Sequence, residues 1–464
     1  MRRVLRALVP GGTAVLTMCG CASVPRDAGV GDVSRVVEER TGHRLAWQPG
    51  QLITPPGGEE LEAQLQGEPT IDQAVEIALA NNRDLLAALE DLGIARADLM
   101  AARTVRNPVF AGEIHLPGDR YKPYEIALTQ TLVDLLQLRR RRAVGEAEFE
   151  AARLRLSASV VGFAGEVRGD YYTLQAAQAS LAQQQTTAAA AEASTELAKR
   201  QHEAGNISDL DLETEQSLYE QAKLDLARAE LEELQARERL LSDLGAMRTM
   251  ALRLPALAAV PAEPEKTAEE VEAAQTARLD VQLARADLEA ARKALPIARA
   301  APFGELAAGV HWDREAGGET SHGPTATIPI PLFDRGLAAR TRAAAMLRRA
   351  EQRLHALAVT AGSEARTARE RLVEARARAE YVAGVVVPRR QRIVQLTQLE
   401  YNAMLRGVFD LIRARQALAS AQREQVLALR DYWLARTEMD VAMSGVAGFT
   451  VRPERRQPEW KENE

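Results

Sequence analysis

The chain has 464 residues, a length that ordinarily predicts two or three globular domains. Only 4% of its residues are aromatic, too few for several ordinary cores, whereas alanine, leucine, glutamate, glutamine and arginine dominate, as they do in long helices. The net charge of −6, carried by residues of alternating sign, argues against a nucleic-acid partner.

The first twenty residues are typical of a bacterial export signal, with a positive start and a short apolar run over 7–18. That run is too short to span a bilayer as a helix. Cys19 and Cys21 are the two cysteines of the chain, which excludes a disulfide framework and a thiol metal site. Gly20-Cys21-Ala22 resembles a lipobox. We therefore expect residues 1–20 to be a lipoprotein signal peptide and Cys21 to be the acylated anchor.

An irregular arm and a helix follow the signal. Residues 21–68 are predicted to form an extended N-terminal arm, because prolines and glycines break any periodicity there. A helix is predicted to begin at Thr70, an N-cap residue with Gln73 three positions later. Apolar residues then recur at helical spacing until Asn107-Pro108, which predicts one continuous helix.

Two short segments then change to a period of two residues. We predict strands at about 107–116 and 123–132, joined by the loop sequence PGDRYKP. A hairpin of two strands is at best marginally stable alone. These strands therefore need partners elsewhere.

Helical patterning returns near Leu135 and runs to Ala204. About seventy residues at ~1.5 Å each make a helix on the order of 100 Å long, which predicts a projecting coiled-coil hairpin. The chain turns at Gly205-Asn206 and returns until Gly245. This segment completes a first repeat over residues 69–255.

The same plan then recurs over residues 256–445. Strands are predicted at about 302–312 and 321–331, and a second long helix runs to Met404 with a kink at Pro388. A turn near Gly407 and a return helix complete the second repeat. Residues 446–464 are predicted to be a loose C-terminal tail.

The two predicted hairpin tips align when His202 is placed on Tyr401. The alignment pairs Ala204 with Ala403 and the Asp-Leu step at Asp211 with that at Asp410. The chain therefore contains two related helical tips about two hundred residues apart.

Four strands with alternating polar and apolar faces suit bilayer crossings of roughly 9–11 residues each. Four strands cannot close a barrel, and open edges are not tolerated in hydrocarbon. Either the strands pair with those of other copies or they lie outside the membrane. Three copies would supply twelve strands, which is within the range of closed barrels.

Together these features resemble the TolC family of outer membrane efflux proteins, specifically its lipoprotein branch near CzcC-like and CusC-like components. The resemblance covers residues 70 to 445. It is carried by the duplicated plan, Asn107-Pro108, Gly205-x-x-Ser208-x-Leu210-Asp211-Leu212, Tyr401 with Asp410-Leu411, Pro331-Leu332-Phe333-Asp334 and the lipobox.

The resemblance implies a mainly α fold with a small β part. Long helical hairpins would form a periplasmic α-barrel, and four strands per chain would contribute to a twelve-stranded β-barrel in a homotrimer. The implied function is the exit duct of a tripartite efflux system. Its implied partners are a periplasmic adaptor, an inner-membrane pump of the RND type and the lipid of the outer membrane.

The resemblance also implies roles for the tips. Asp211 and Asp410 would be inward-facing acids of a periplasmic gate, and Arg406 and Arg413 would pair with such carboxylates across hairpins. Met404 stands where the family usually has glycine, so the second tip is expected to differ in shape. The implied residues for the tips and for adaptor docking are Gly205, Asn206, Ser208, Met404 and Gly407.

Chemistry on a substrate is not indicated. The six histidines lack the spacing of metal ligands, and no phosphate loop or nucleophile constellation stands out, so we expect no enzyme activity, metal or cofactor. Two alternatives remain at this stage, a periplasmic adaptor and a structural coiled-coil lipoprotein without a pore. The cargo, a heavy metal, a drug or another small molecule, is left open.

Overall fold

The fold was analysed on a computed structural model, which describes residues 29–45, 58–65, 67–114, 123–263, 265–315 and 318–446. Cys21, the signal peptide, part of the N-terminal arm and nearly all of the C-terminal tail lie outside the described residues. The described part of the arm contains two helices, so the prediction of an irregular, extended arm over 21–68 is wrong there. The helices are α1 (Val30–Thr41), α2 (Gly58–Gln64), α3 (Ile71–Asn81), α4 (Arg83–Arg103), α5 (Leu132–Glu203), α6 (Asp209–Asp243), α7 (Ala268–Ala274), α8 (Leu279–Arg299), α9 (Leu337–Tyr381), α10 (Val387–Asn402) and α11 (Val408–Ser444). The strands are β1 (Val109–Ile114), β2 (Tyr124–Thr131), β3 (Ala307–Arg314) and β4 (Thr320–Thr327).

The described chain is therefore mainly helical with one small sheet, as the sequence predicts. It divides into two compact units, and each unit draws on both repeats. The first unit contains residues 90–153 and 283–355, with the sheet and the adjoining helix ends. The second contains residues 32–89, 154–282 and 356 onward, with the two helical tips. No described helix is both long enough and apolar enough to cross a bilayer.

In the first unit the four strands form one antiparallel sheet in the order β1-β2-β3-β4. The central pairing of β2 with β3 joins the two repeats, with Ile126 opposite Trp312. Gly309 is required at this pairing, because a Cβ there would lie 2.1 Å from the carbonyl oxygen of Leu128. Among the residues that the structure describes, β1 and β4 each have one unpaired edge.

A buried carboxylate fixes the point where the sheet passes into α5. Asp134 is 4% exposed and lies 2.9 Å from Arg106 and 3.1 Å from Arg141. The backbone N–H of Leu132 donates to the carbonyl of Leu306, at 2.8 Å. These contacts hold the first turn of α5 against the segments that lead into β1 and β3.

The helix predicted to run unbroken from Thr70 to Asn107-Pro108 is instead two helices, so that prediction is wrong. Thr70 and Gln73 form the expected capping box, but Asn82 adopts an extended backbone between α3 and α4. Its side-chain oxygen accepts from the N–H of Leu85 at 2.9 Å and so caps α4. Asparagine competes with helical hydrogen bonding in this way, and apolar periodicity does not report the break.

In the second unit, each repeat closes on a glycine that ends its return helix. Gly245 has φ +78°, and a Cβ there would lie 2.7 Å from the carbonyl oxygen of Asn81. Gly445 has φ +88°, and a Cβ there would lie 2.3 Å from the nitrogen of Leu279. The N–H of Asp280 donates to the Gly445 carbonyl at 3.0 Å. Both glycines combine left-handed backbone with close approach, which other residues tolerate poorly.

Small residues allow the helices of the second repeat to pack closely. The core between α9 and α11 is built largely of alanine, with Tyr432 fully buried among them. The Tyr432 hydroxyl donates to Glu265 at 2.9 Å, and Arg376 donates to the same carboxylate at 3.1 Å. Trp433 stacks on Tyr172 of α5 with ring centroids 5.2 Å apart. The connecting segment between the repeats is thereby fastened to the helices.

The interruption predicted at Pro388 takes the form of a π-helical segment. Residues Val382–Val386 form this segment, and α10 begins with Val387 directly before the proline. Proline lacks an N–H and crowds the preceding turn, so a widened turn before it relieves the clash.

Candidate functional site

The first hairpin tip is closed by a Schellman motif at the end of α5. The N–H of Gly205 donates to the carbonyl of His202, and that of Asn206 donates to the carbonyl of Gln201, both at 2.8 Å. Gly205 has φ +75°, the left-handed conformation that this motif requires. Nothing lies within 4 Å of the position of a Cβ at Gly205, so backbone conformation alone requires glycine there.

The return helix α6 begins with a reciprocal capping box. The N–H of Asp211 donates to the Ser208 hydroxyl at 3.2 Å, and the N–H of Ser208 donates to the Asp211 carboxylate at 3.2 Å. The Ser208 hydroxyl also donates to that carboxylate at 2.7 Å. Asp211 therefore satisfies the helix start as well as presenting a charge at the tip.

The electrostatic setting of Asp211 connects the two tips. Hydrogen bonds from Ser208 lower the pKa of the Asp211 carboxyl, and the positive charge of Arg413 on α11 lowers it further. Because Asp211 is exposed, solvent screens both of these interactions. The charge of Arg413 on α11 therefore acts on the carboxylate of Asp211 on α6 within one chain.

The second tip repeats the first with different residues. The N–H of Met404 donates to the carbonyl of Tyr401, and that of Leu405 donates to the carbonyl of Glu400, both at 2.9 Å. Met404 has φ +62° and is the one non-glycine residue with positive φ in the described part of the chain. Its side chain is 93% exposed. The substituted position therefore keeps the turn geometry of the first tip.

The helix start at the second tip has no side-chain cap. Gly407 occupies the N-cap position of α11, which Ser208 occupies in α6, and it makes no side-chain hydrogen bond. Asp410, the counterpart of Asp211, instead lies 3.3 Å from Arg413 in its own helix. The two tips thus share a backbone shape but not a charge arrangement.

Arg406 pairs with Glu400 at 3.0 Å across the second turn. Sequence reasoning placed Arg406 opposite the tip aspartates and missed Glu400, which lies six residues earlier at the end of α10. Within one chain, therefore, Arg406 and Arg413 each pair locally, with Glu400 and Asp410. His202 likewise lies 2.6 Å from Asp209, a pair that sequence reasoning also missed. Both pairs could have been found in the sequence, because each joins residues of opposite charge on the two sides of one turn.

Apolar side chains also face solvent at both tips. Leu210 is 75% exposed beside the first turn, and Leu405 is 75% exposed beside the second. Leu399, on the last turns of α10, is 62% exposed. Exposed apolar residues in one place are a feature of interaction surfaces.

The part of the chain that the structure describes contains no group of three His, Cys, Asp or Glu side chains that could hold a metal ion. His115 lies outside the described residues. His322 pairs in register with Trp312 in the sheet, whereas His202 is at the first tip.

Comparison with known proteins finds a family match in the first repeat. Residues 74–246 match the profile of the family described as outer membrane efflux protein. This stretch runs from α3 to just beyond α6, the first of the two repeats. The first repeat of this chain is therefore an outer membrane efflux protein domain. Among curated protein sequences, none matches it.

Solved structures of outer membrane proteins share the fold of this chain. CusC, described in a crystallographic study of transmembrane channel formation, is 20% identical, with a TM-score of 0.61 over 85% of this chain and 96% of CusC. The open MtrE outer membrane channel of Neisseria gonorrhoeae is 20% identical, with a TM-score of 0.63 over 83% of this chain and 91% of MtrE. The outer membrane protein VceC of Vibrio cholerae is 15% identical, with a TM-score of 0.65 over 81% of this chain and 96% of VceC.

The family match over the first repeat and the shared fold both agree with an outer membrane efflux protein. In the fold of this efflux protein the sheet and the tips belong to different compact units. The two alternatives left by the sequence, an adaptor and a poreless coiled-coil lipoprotein, do not account for the family match.

Proposed function

We propose that this protein is an outer membrane channel, the exit duct of a tripartite efflux system, and that it works as a homotrimer. The observation that carries the proposal is the sheet with its two unpaired edges, β1 and β4. Val109, Phe110 and Ile114 of β1 are each at least 60% exposed, which an isolated edge strand in water avoids. Three copies pairing β1 with β4 would close twelve strands and leave no edge in the hydrocarbon.

The long helices supply the periplasmic part of the duct. α5 has 72 residues, which at ~1.5 Å each corresponds to about 108 Å. A helix of that length reaches far beyond the roughly 30 Å hydrocarbon core of a bilayer. We place α5, α6 and the α9–α11 hairpin in the periplasm, with three first tips and three second tips around one axis.

The tips form the gate in this proposal. In a trimer Asp211 and Asp410 each become a ring of three carboxylates, which would attract cations and exclude anions. The positive charge of Arg413 lowers the pKa of Asp211, and Arg413 pairs with Asp410. In the trimer, Arg413 would therefore offset the negative charge of both rings. Opening would follow when a partner binds the open arrangement more tightly than the closed one.

The partners are a periplasmic adaptor and an inner-membrane pump, of the RND type. The adaptor would dock on the exposed apolar residues of the tips, such as Leu210 and Leu405, with Met404 contributing its exposed side chain. Cargo would pass through without chemical change. We propose two classes of cargo for testing, heavy metals and drugs. The resemblance to CzcC-like and CusC-like components favours metals.

The lipid anchor at Cys21 is a further part of the proposal. An acylated cysteine would attach the N-terminal arm to the outer membrane beside the sheet. Mass spectrometry of the mature protein tests it, with a Cys21→Ala variant as the control. An unmodified mature chain would contradict the anchor without affecting the channel.

The channel proposal is tested by purifying the protein from outer-membrane fractions. We expect a heat-modifiable trimer that conducts ions in planar bilayers, and deletion of the gene should raise susceptibility to the exported compound. A monomer confined to the periplasmic face would contradict the duct and favour a structural lipoprotein. Susceptibility testing with a panel of metal salts and drugs then decides the cargo.

A further inference from the structure

Four consecutive arginines, Arg139 to Arg142, lie on α5 shortly after the sheet ends. α5 begins at Leu132, directly after β2, so Arg139 and Arg140 follow the last strand residue by about 12 Å of helix. Because the chain is acidic overall, each of these four positive charges could have a carboxylate partner nearby.

Two of the four charges are balanced within the first unit. Arg141 lies 3.1 Å from Asp134, and Arg142 lies 2.9 Å from Glu146. Arg139 and Arg140 are exposed and have no ion-pair partner among the residues that the structure describes.

These two arginines line an open groove of about 650 Å³ in the first unit. Its apolar side includes Leu136, which is 74% exposed, and Phe303, which is 46% exposed. Phe303 lies in the short turn before β3, and the bond between Leu132 and Leu306 holds that turn against α5. The groove therefore combines two unbalanced guanidinium groups with a surface suited to hydrocarbon.

The same end of the other long helix is also basic. Residues 333–349, which lead from β4 into α9, contain five arginines and one acid, whereas the whole chain has a net charge of −6. Basic residues within a turn or two of a membrane-spanning element are attracted to anionic headgroups, and arginine binds phosphate in a bidentate way.

From these observations we propose that the groove of Leu136, Arg139, Arg140 and Phe303 binds an anionic phospholipid of the leaflet that faces the helices. The guanidinium groups would hold the phosphate, and Leu136 and Phe303 would contact the first methylenes of an acyl chain. The inference depends on the proposed placement of the sheet in the membrane. It adds a lipid class that the channel function does not itself require.

Native mass spectrometry of the full-length protein in mild detergent tests the site, with phosphatidylglycerol and phosphatidylethanolamine in equal amounts. The wild type is expected to retain phosphatidylglycerol preferentially. Arg139→Gln with Arg140→Gln should weaken that retention roughly 25-fold, the product of about a fivefold contribution from each arginine.

Arg389→Gln with Arg390→Gln is the matched control, because this adjacent exposed pair lies on α10 in the other unit. It removes the same charge and is expected to leave retention unchanged. Leu136→Ser with Phe303→Ser should weaken retention without changing charge. Equal losses in both arginine variants, or no loss in the first, would overturn the site.

Two further measurements separate the possible failures. Soluble glycerol phosphate at millimolar concentration should not displace the lipid, and displacement would show a plain phosphate site instead. Ion conduction in bilayers of neutral lipid tests the channel arrangement independently. A wild-type protein that conducts but shows no lipid preference would overturn this inference alone, whereas absence of conduction would count against the channel arrangement.

Discussion

Gly205 and Met404 occupy the same position in two copies of one helical turn, and both have left-handed backbone, at φ +75° and +62°. Each donates its N–H to the carbonyl three residues earlier, and the next residue donates to the carbonyl five residues earlier. The turn therefore dictates the conformation, and the second copy adopts it with a side chain that disfavours it.

Met404→Gly should stabilise the second tip by roughly 0.5–1 kcal/mol, because it removes the left-handed penalty while losing an exposed side chain. Hydrogen exchange of amides 400–408 should slow by about two- to fivefold. The first tip, which already has glycine, provides the internal reference. Faster exchange in the variant would mean that Met404 makes contacts in the trimer that outweigh its strain.

Gly445→Ala should be far more damaging than Gly205→Ala. Both positions have positive φ, but a Cβ at Gly445 would meet Leu279 and Arg278 backbone and side-chain atoms at 2.3–2.7 Å, while that at Gly205 meets nothing within 4 Å. We expect a loss of about 3–5 kcal/mol for the first and about 1 kcal/mol for the second.

Thermal scans of the purified protein by circular dichroism measure the stability loss in the Gly445→Ala and Gly205→Ala variants. The yield of trimer is a second measure. Similar midpoints for the two variants would show that the crowding at Gly445 is relieved by a small shift of α8.

Much of this architecture follows from patterns that the sequence carries openly. Period-two alternation predicted the four strands, and the alignment of the Asp-Leu steps at Asp211 and Asp410 predicted the two related tips. The left-handed turn at Gly205 was also predictable, because glycine at a break in helical pattern favours that conformation.

Other features depend on contacts distant in sequence. Asn82 interrupts a helix because it caps α4 while its amide donates to the carbonyl of Asp243, 161 residues away. Glu400 was missed because its pairing with Arg406 depends on how the turn folds back. Periodicity reports which face of a helix is buried, and it does not report such pairings.

Arg278 is completely buried, and its side chain donates to Asp280 at 2.7 and 3.1 Å and to Glu364 at 3.0 Å. Hydrogen bonds and charge from Asp280 and Glu364 raise the pKa of Arg278 against the opposing effect of burial. Arg278→Met should therefore destabilise the second unit by roughly 3–5 kcal/mol, since it leaves Asp280 buried without its partner.

Denaturation of Arg278→Met, Asp280→Asn and the double variant tests this coupling. The double variant should be more stable than the sum of the single losses predicts. Strict additivity would show that the pair contributes packing and not charge compensation.

The first tip should fray in acid. Hydrogen bonding to Ser208 lowers the pKa of Asp211 in the folded chain, so its contribution to stability is present above the unfolded pKa. That contribution is lost as the pH falls through the lower folded pKa, below about pH 4. Hydrogen exchange in the first turn of α6, corrected for the intrinsic rate, should rise there, and Ser208→Ala should remove most of the pH dependence.

The second tip serves as the comparison, because Gly407 offers no hydroxyl to form such a box. An equal acid response at both tips would mean that charge repulsion in the trimer, and not the Ser208 cap, governs fraying.

The aspartates of the tips should set the ion selectivity of the open duct. If Asp211 and Asp410 line the axis, Asp211→Asn and Asp410→Asn should each lower the cation-over-anion permeability ratio, because each removes three charges from a trimer. Reversal potentials in planar bilayers under a salt gradient measure this ratio. Asp209→Asn is the matched control, since Asp209 is 94% exposed at the same tip and pairs with His202. Ser208→Ala separates the loss of charge at Asp211 from the loss of its cap. A ratio unchanged in both aspartate variants would place the gate elsewhere along the helices.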